Sequence, residues 1–284
     1  MILRSDVHIR DPFILPDRAR GVYYMYGTNG GMREGNTKRF LVYETRDLER
    51  FEDPVVIFDA EAIGFWADRD FWAPEAHVYK GRYYLFASFR AHGRHRCTQI
   101  LASDSPKGPF LPIGDGPVTP AEWDCLDGTL WVENETPYMI FCHEWSQVGD
   151  GEICAMPLTP DLTAPAGEVR ILFRASESPY VNEYPKAGCY VTDGPFLFRE
   201  GGKLKMIWSS FLDRRYVVLE AESESGSVLG PWTQQSSRFS FDGGHAMIFE
   251  TFEGERMIAL HSPNASIPED DGKERPVFLR WTLA

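Results

Sequence analysis

A two-strand unit recurs five times along this chain, and a long-period repeat limits the available folds more than any other feature. Each copy has a polar residue beside Gly or Pro, an apolar run, a turn, and a second run rich in aromatic or branched residues. The copies are Asp11-Pro12-Phe13-Ile14-Leu15 with 21–26, Trp72-Ala73-Pro74-Glu75-Ala76 with 81–86, Asp127-Gly128-Thr129-Leu130-Trp131 with 137–141, Asp193-Gly194-Pro195-Phe196-Leu197 with 203–208, and His245-Ala246-Met247-Ile248-Phe249 with 256–260. The anchors Asp11, Glu75, Asp127, Asp193 and His245 are spaced 64, 52, 66 and 52 residues apart. That is room for about four strands each, the size of a propeller blade. Lys80-Gly81, Gly201-Gly202 and Glu253-Gly254 read as hairpin turns. No segment sustains a period near about 3.6, so helices should be few. A β-sandwich would also alternate and be rich in turns. Five echoes of one pattern favour an all-β, five-bladed β-propeller, and with no linker composition anywhere, residues 1–284 read as one domain.

Charge narrows the partners. With 29 basic and 42 acidic side chains the net charge is −13, the wrong sign for a nucleic-acid binder or for docking on an anionic membrane. No stretch is long and apolar enough to span a bilayer. The start, Met1-Ile2-Leu3-Arg4-Ser5-Asp6, has no basic segment followed by an apolar one, so the expected location is the cytoplasm. Five cysteines without Cys-x-x-Cys spacing fit reduced, buried thiols.

In a propeller the first strand of every blade lines the central channel and its start opens into the funnel mouth. Residues remote in sequence then converge, and three of the anchors are Asp. Acids gathered at one mouth repel one another, which raises the pKa of at least one. One ionised and one protonated carboxyl is the division of labour that glycoside hydrolysis requires. Asp before Pro or Gly is also an ordinary turn residue, a reading that weakens when the residue recurs from blade to blade.

Arg10-Asp11-Pro12-Phe13, Trp72-Ala73-Pro74-Glu75, Leu126-Asp127-Gly128-Thr129, Thr192-Asp193-Gly194-Pro195 and Gly243-Gly244-His245-Ala246 occur in that order. In this the chain resembles glycoside hydrolase family 43, five-bladed propeller enzymes that include β-xylosidases, α-L-arabinofuranosidases and arabinanases. The resemblance implies an inverting mechanism, with Asp11 as general base, Asp127 as the carboxylate that positions the acid and tunes its pKa, and Asp193 as general acid. Asp193 stands where the family usually has Glu, one methylene longer, and Glu75 and Glu183 are the substitutes to weigh. It also implies that Trp72, Glu75, Arg275 and His245 contact the sugar. His245 would lie on the channel axis and touch water around a Ca²⁺ ion, with no organic cofactor. The partner expected is an oligosaccharide, with exo action on xylosides or arabinofuranosides of short plant-derived chains.

Other features carry less. His92 and His95 have His-x-x-His spacing, but no further ligands at zinc-motif spacing, and read as a basic loop. Phe65, Trp66, Phe71 and Trp145 are either sugar platforms or core. Related propeller enzymes acting on fructosides share Arg-Asp-Pro but use a Glu-Cys acid, and no Glu-Cys occurs here. A non-catalytic carbohydrate-binding propeller, an interaction platform, and a glycosidase for another sugar such as galactosides are the remaining alternatives.

Overall fold

The computed structural model describes residues 1–29, 37–237, 239, 241–264, 268–270 and 272–282. The five repeats are five antiparallel sheets, each starting with a strand on the central channel. Blade 1 comprises Ile9–Asp17, Val22–Asn29 and Arg39–Thr45, and the last pairs with both Arg50–Phe51 and Val55–Asp59. Blade 2 is Arg69–Tyr79, Arg82–Arg90, Cys97–Ser103 and Leu111–Pro112; blade 3 is Cys125–Glu133, Thr136–His143, Glu152–Pro157 and Arg170–Arg174. Blade 4 is Asp193–Glu200, Lys203–Leu212, Arg215–Ser223 and Trp232–Gln235, and blade 5 has three described strands, Gly244–Glu250, Arg256–Ser262 and Arg275–Arg280. The two α-helices among the described residues, Ala60–Ile63 and Trp145–Val148, are single turns, in line with the missing helical period.

Blades are covered on both faces, so their second strands read as nearly unbroken apolar runs rather than alternating ones. Val22–Asn29 is buried at every position but its last. The core accordingly lies between blades: one cluster joins blades 2 and 3 through Phe86, Met139 and Phe141, and another joins blades 3 and 4 through Ile140, Met206 and Trp208. All five cysteines are free and buried, Cys125, Cys142 and Cys154 within these clusters. Lys80-Gly81 and Gly201-Gly202 form tight turns with both residues at positive φ, the primed geometry that suits twisted strands. Glu253-Gly254 instead lies in a longer connection closed by the Thr251 N–H on the Glu255 carbonyl.

Each inner strand slips register at its channel-mouth end, between Arg10 and Phe13, Trp72 and Glu75, Leu126 and Thr129, Asp193 and Phe196, and Gly244 and Met247. One residue within each bulge is left-handed: Asp11, Ala73, Asp127, Gly194 and His245, with φ of 53, 46, 57, 49 and 50°. These five are the true structural counterparts. Glu75 therefore lies two residues beyond its blade's bulge residue, and Asp193 one residue before it, so both depart from the anchor alignment read from sequence.

Left-handed φ costs a non-glycine residue roughly 1–2 kcal/mol, and a contact from the preceding blade holds each one. The N–H of Ala73 donates to Thr28 Oγ1 at 2.7 Å, that of Asp127 to Ser88 Oγ at 3.0 Å, and that of His245 to Ser209 Oγ at 2.8 Å. The Asp11 N–H donates to His261 Nδ1 of blade 5 at 3.1 Å, which joins the last blade to the first. Only the Gly194 N–H departs in kind, donating to Asp127 Oδ2 on the inner strand of blade 3 at 2.9 Å. Among the described residues no strand is shared at the seam. Besides the His261 contact it is closed by Arg10 on Asn264 and Glu274, and by Tyr23 stacked on Phe252 at 4.0 Å.

Ser88 is fully buried, so Ser88→Ala leaves the Asp127 N–H without an acceptor. Chemical denaturation should show a loss of about 1–3 kcal/mol, whereas Ser88→Thr should retain most of the stability. Equal losses in the two variants would show that packing, and not the hydrogen bond, holds the bulge.

Candidate active site

The bulges bring Asp11, Asp127 and His245 to one level of the channel, with Asp193 beside them. His245 Nδ1 is 3.2 Å from Asp11 Oδ1 and 3.7 Å from Asp127 Oδ2, so those two oxygens lie within 6.9 Å, the sum of the two distances. The Gly194 N–H on Asp127 Oδ2 ties the residue next to Asp193 to the same carboxylate. Gly194 has to be glycine: at φ 49° a Cβ there would come within 2.8 Å of the His245 ring. Asp11 and Asp127 are 8% and 3% exposed, while Asp193 is half-buried.

Side chains absent from the sequence reading complete the constellation. The Thr28 hydroxyl donates to Asp11 Oδ2 at 2.6 Å while accepting the Ala73 N–H, so it orients the carboxylate from the neighbouring strand. Tyr216, on the third strand of blade 4, donates its hydroxyl to Asp193 Oδ2 at 3.1 Å. His261 Nε2 donates to Asn264 Oδ1 at 2.9 Å, which leaves Nδ1 free to accept from Asp11 and fixes the neutral tautomer. Burial and the nearby Arg10 charge keep that ring neutral, its pKa lowered to about 3.

The carboxyls differ in protonation. Burial acts to raise Asp11, but His245 above all, then the His261 ring, Arg10 and the Thr28 hydroxyl, outweigh it and hold it below the usual value. Burial acts to lower His245, yet the surrounding carboxyls of Asp11, Asp127, Glu75 and Asp193 push it up. Asp127 is raised to about 8, first by burial and then by Asp193 and Asp11, against the His245 charge and the Gly194 N–H. Asp193 is raised to about 6, chiefly by burial, with Glu144 and Asp11 adding and His245 and the Tyr216 hydroxyl opposing. Burial thus raises both the sealed Asp127 and the partly exposed Asp193 above the usual carboxylate range.

Glu144, also unremarked in the sequence, neighbours Asp193. Burial raises it, while Arg96 binds it and lowers it. Arg96 also holds Asp70 at 2.9 Å and lies over the Trp72 ring at 4.4 Å, so one face of that indole is already covered. Glu75 is buried a layer deeper, 3.2 Å from His77 Nε2. Glu183 lies exposed on the loop before blade 4. Arg275 is not brought to the carboxylates. Its guanidinium donates to the Ser5, Gly272 and Glu274 carbonyls beside the His8 ring, and Arg10 is the cation near Asp11. Phe65 and Phe71 pack with Phe58 and Phe89 in the core, and Trp66 gives its N–H to Gln99. Trp145 packs on the Val191–Phe211–Tyr216 cluster near the mouth. His92 is exposed and His95 pairs with Asp124. A cavity of about 680 Å³ opens at the far end of the channel, lined by Phe13, His77, Trp131, Phe196 and Met247, away from the carboxylates.

His245 does not fit a directly bound calcium ion. Its Nδ1 faces Asp11, which leaves the buried, unpartnered Nε2 as a single nitrogen donor, and the raised pKa favours the form with hydrogen on both nitrogens. Calcium takes about six to eight oxygen ligands. Among the described residues, no three His, Cys, Asp or Glu side chains gather to hold a metal.

Between the ordinary value of 3.8 and about 8, folded Asp127 keeps a proton that the unfolded chain has lost. Its contribution therefore makes stability fall as pH rises through that window. Asp127→Asn, which retains an acceptor for Gly194, should show a smaller fall in melting temperature between pH 5 and pH 8 than the parent protein. Parallel curves would contradict the raised pKa.

The family model for "Glycosyl hydrolases family 43" matches residues 5–281. Among solved structures, the endo-arabinase from Bacteroides thetaiotaomicron VPI-5482 is similar over 100% of this chain and 98% of that one, at 42% identity and a TM-score of 0.90. The curated extracellular exo-α-(1→5)-L-arabinofuranosidase ArbA of Cellvibrio japonicus (strain Ueda107) is 21% identical over 92% of this chain and 81% of its own. A xylosidase/arabinosidase of Bacteroides ovatus is 30% identical over 34% of this chain and 32% of its own, so the chain spans about a third of that relative. With the family model spanning nearly the whole chain, on the five-bladed fold described above, the protein belongs to glycosyl hydrolases family 43.

Proposed function

We propose that the chain hydrolyses α-L-arabinofuranosyl linkages of plant-derived oligosaccharides with inversion, using Asp11 as general base and Asp193 as general acid. The observation that carries this reading is the division among the acids. Asp11 is held ionised beside His245, while the accessible Asp193 is pushed toward its protonated form. Inversion requires such a pair, with carboxyls roughly 6.5–9.5 Å apart so that water fits between base and sugar. In the reaction, the Asp193 proton passes to the glycosidic oxygen as the bond to the anomeric carbon breaks. Water attacks that carbon from the opposite face and gives its proton to Asp11. Asp127, bound to the Gly194 N–H, positions the backbone that carries the acid. The arabinofuranosyl preference draws on the two arabinan-active relatives, and the Bacteroides ovatus protein keeps xylosides as the second reading.

4-Nitrophenyl α-L-arabinofuranoside, 4-nitrophenyl β-D-xyloside and α-1,5-arabino-oligosaccharides are the substrates to compare. Release of arabinose units is expected to dominate, and faster xyloside turnover would transfer the proposal to the second reading. Single-unit products would mark exo action, and a ladder of lengths endo action. Asp11→Asn should reduce turnover by at least about 10²-fold, the usual contribution of a positioned base, with folding unchanged. Near-parental turnover would remove Asp11 from the mechanism.

The acid has its own signature. Asp193→Ala should slow natural glycosides far more than dinitrophenyl glycosides, whose leaving group needs little protonation. Equal slowing would make its role positional and direct attention to Glu144 as well as Glu75 and Glu183. Because the Tyr216 hydroxyl stabilises ionised Asp193, Tyr216→Phe should move the basic limb of the pH–rate profile upward, by up to about one unit for one hydrogen bond. A downward shift would contradict the assignment.

A further inference from the structure

We propose that Cys142 is a positioning residue of this site, placed so that the Gly194 N–H binds Asp127 instead of the ring acceptor used between other blades. The second strands of the five blades present Thr28, Ser88, Cys142, Ser209 and His261 opposite Arg10, Trp72, Leu126, Asp193 and Gly244. At four of these positions the side chain accepts the N–H of the next blade's bulge residue. In blade 3 the equivalent side chain is a thiol, a weak acceptor. There the donor turns to Asp127 Oδ2 at 2.9 Å. Cys142 is fully buried, with the Asp127 and Asp193 carboxyls among the groups acting on its thiol. A hydroxyl in its place would restore the ring acceptor beside the donor and compete with Asp127 for it. The thiol thereby leaves one Asp127 oxygen bound to the residue that follows Asp193, so the two carboxyls are held through a single peptide unit.

The activity arm of the test rests on the proposed function, and the spectroscopic arm does not. Cys142→Ser and Cys142→Ala differ by one acceptor in the same space. In glycine-¹⁵N-labelled protein, the Gly194 amide should move in Cys142→Ser toward its position in Asp127→Ala, because its bond to the Asp127 carboxyl has been lost. In Cys142→Ala it should stay near the parental position. On the better substrate, Cys142→Ser should lower kcat about fivefold, the worth of one such bond, with KM little changed, and Cys142→Ala should keep most of kcat. An unmoved Gly194 amide in Cys142→Ser, or equal shifts in both variants, would overturn the proposal. If the parent protein hydrolyses none of the glycosides, the functional reading fails and the amide positions still decide the role of Cys142.

Discussion

The structure depends on one interaction repeated around the channel: a backbone N–H, freed by a left-handed residue at the start of each inner strand, donating to a side chain of the preceding blade. A buried N–H without a partner costs about as much as a lost hydrogen bond, so each contact sets the spacing of two blades and stabilises the strained backbone. The same bulges re-aim the side chains at the mouth. Asp11, Asp127 and His245 are both members of this ring and members of the candidate site. Strain, blade packing and chemistry are thus placed on the same residues.

Electrostatics follow from that crowding. His245, its pKa raised by the carboxyls around it, faces several of them in a buried site. Asp11, nearest to His245 at 3.2 Å and also hydrogen-bonded by Thr28, takes most of the benefit and stays ionised. Asp127, 3.7 Å from the same nitrogen and almost fully buried, does not. Arg10 adds less than its charge suggests, since Glu274 and Asn264 already engage it. His261, its pKa lowered to about 3, supplies the acceptor for the Asp11 N–H.

Much of the site was legible from residue types. Asp11, Asp127, Asp193 and His245 were all recognisable because each lies in a short motif beside Pro or Gly that repeats at blade spacing. Glu75 and Asp193 were aligned with the wrong residues of their neighbours. A bulge offsets register by one position and leaves no mark in composition when the left-handed residue is Ala73. Arg275 engages the Ser5 carbonyl instead of the site, and the cation close to Asp11 is Arg10, its neighbour in the same motif. Thr28, Ser88, Ser209, Tyr216 and Glu144 carried no signal, since a hydroxyl at the end of a strand is ordinary until the next blade's N–H is seen to meet it.

The five-fold unit, the all-β class and the acids at the blade starts are written in local order: apolar runs of strand length, turn residues with positive φ, and motifs at a fixed period. The tertiary structure alone decided which blade supplies each acceptor, which acid is accessible and which is sealed, and where the protons reside. Those properties depend on distances between residues remote in sequence, such as Asp11 and His261, 250 positions apart, and on burial from both faces of every sheet. Both are set by the closing of the ring and not by any single segment.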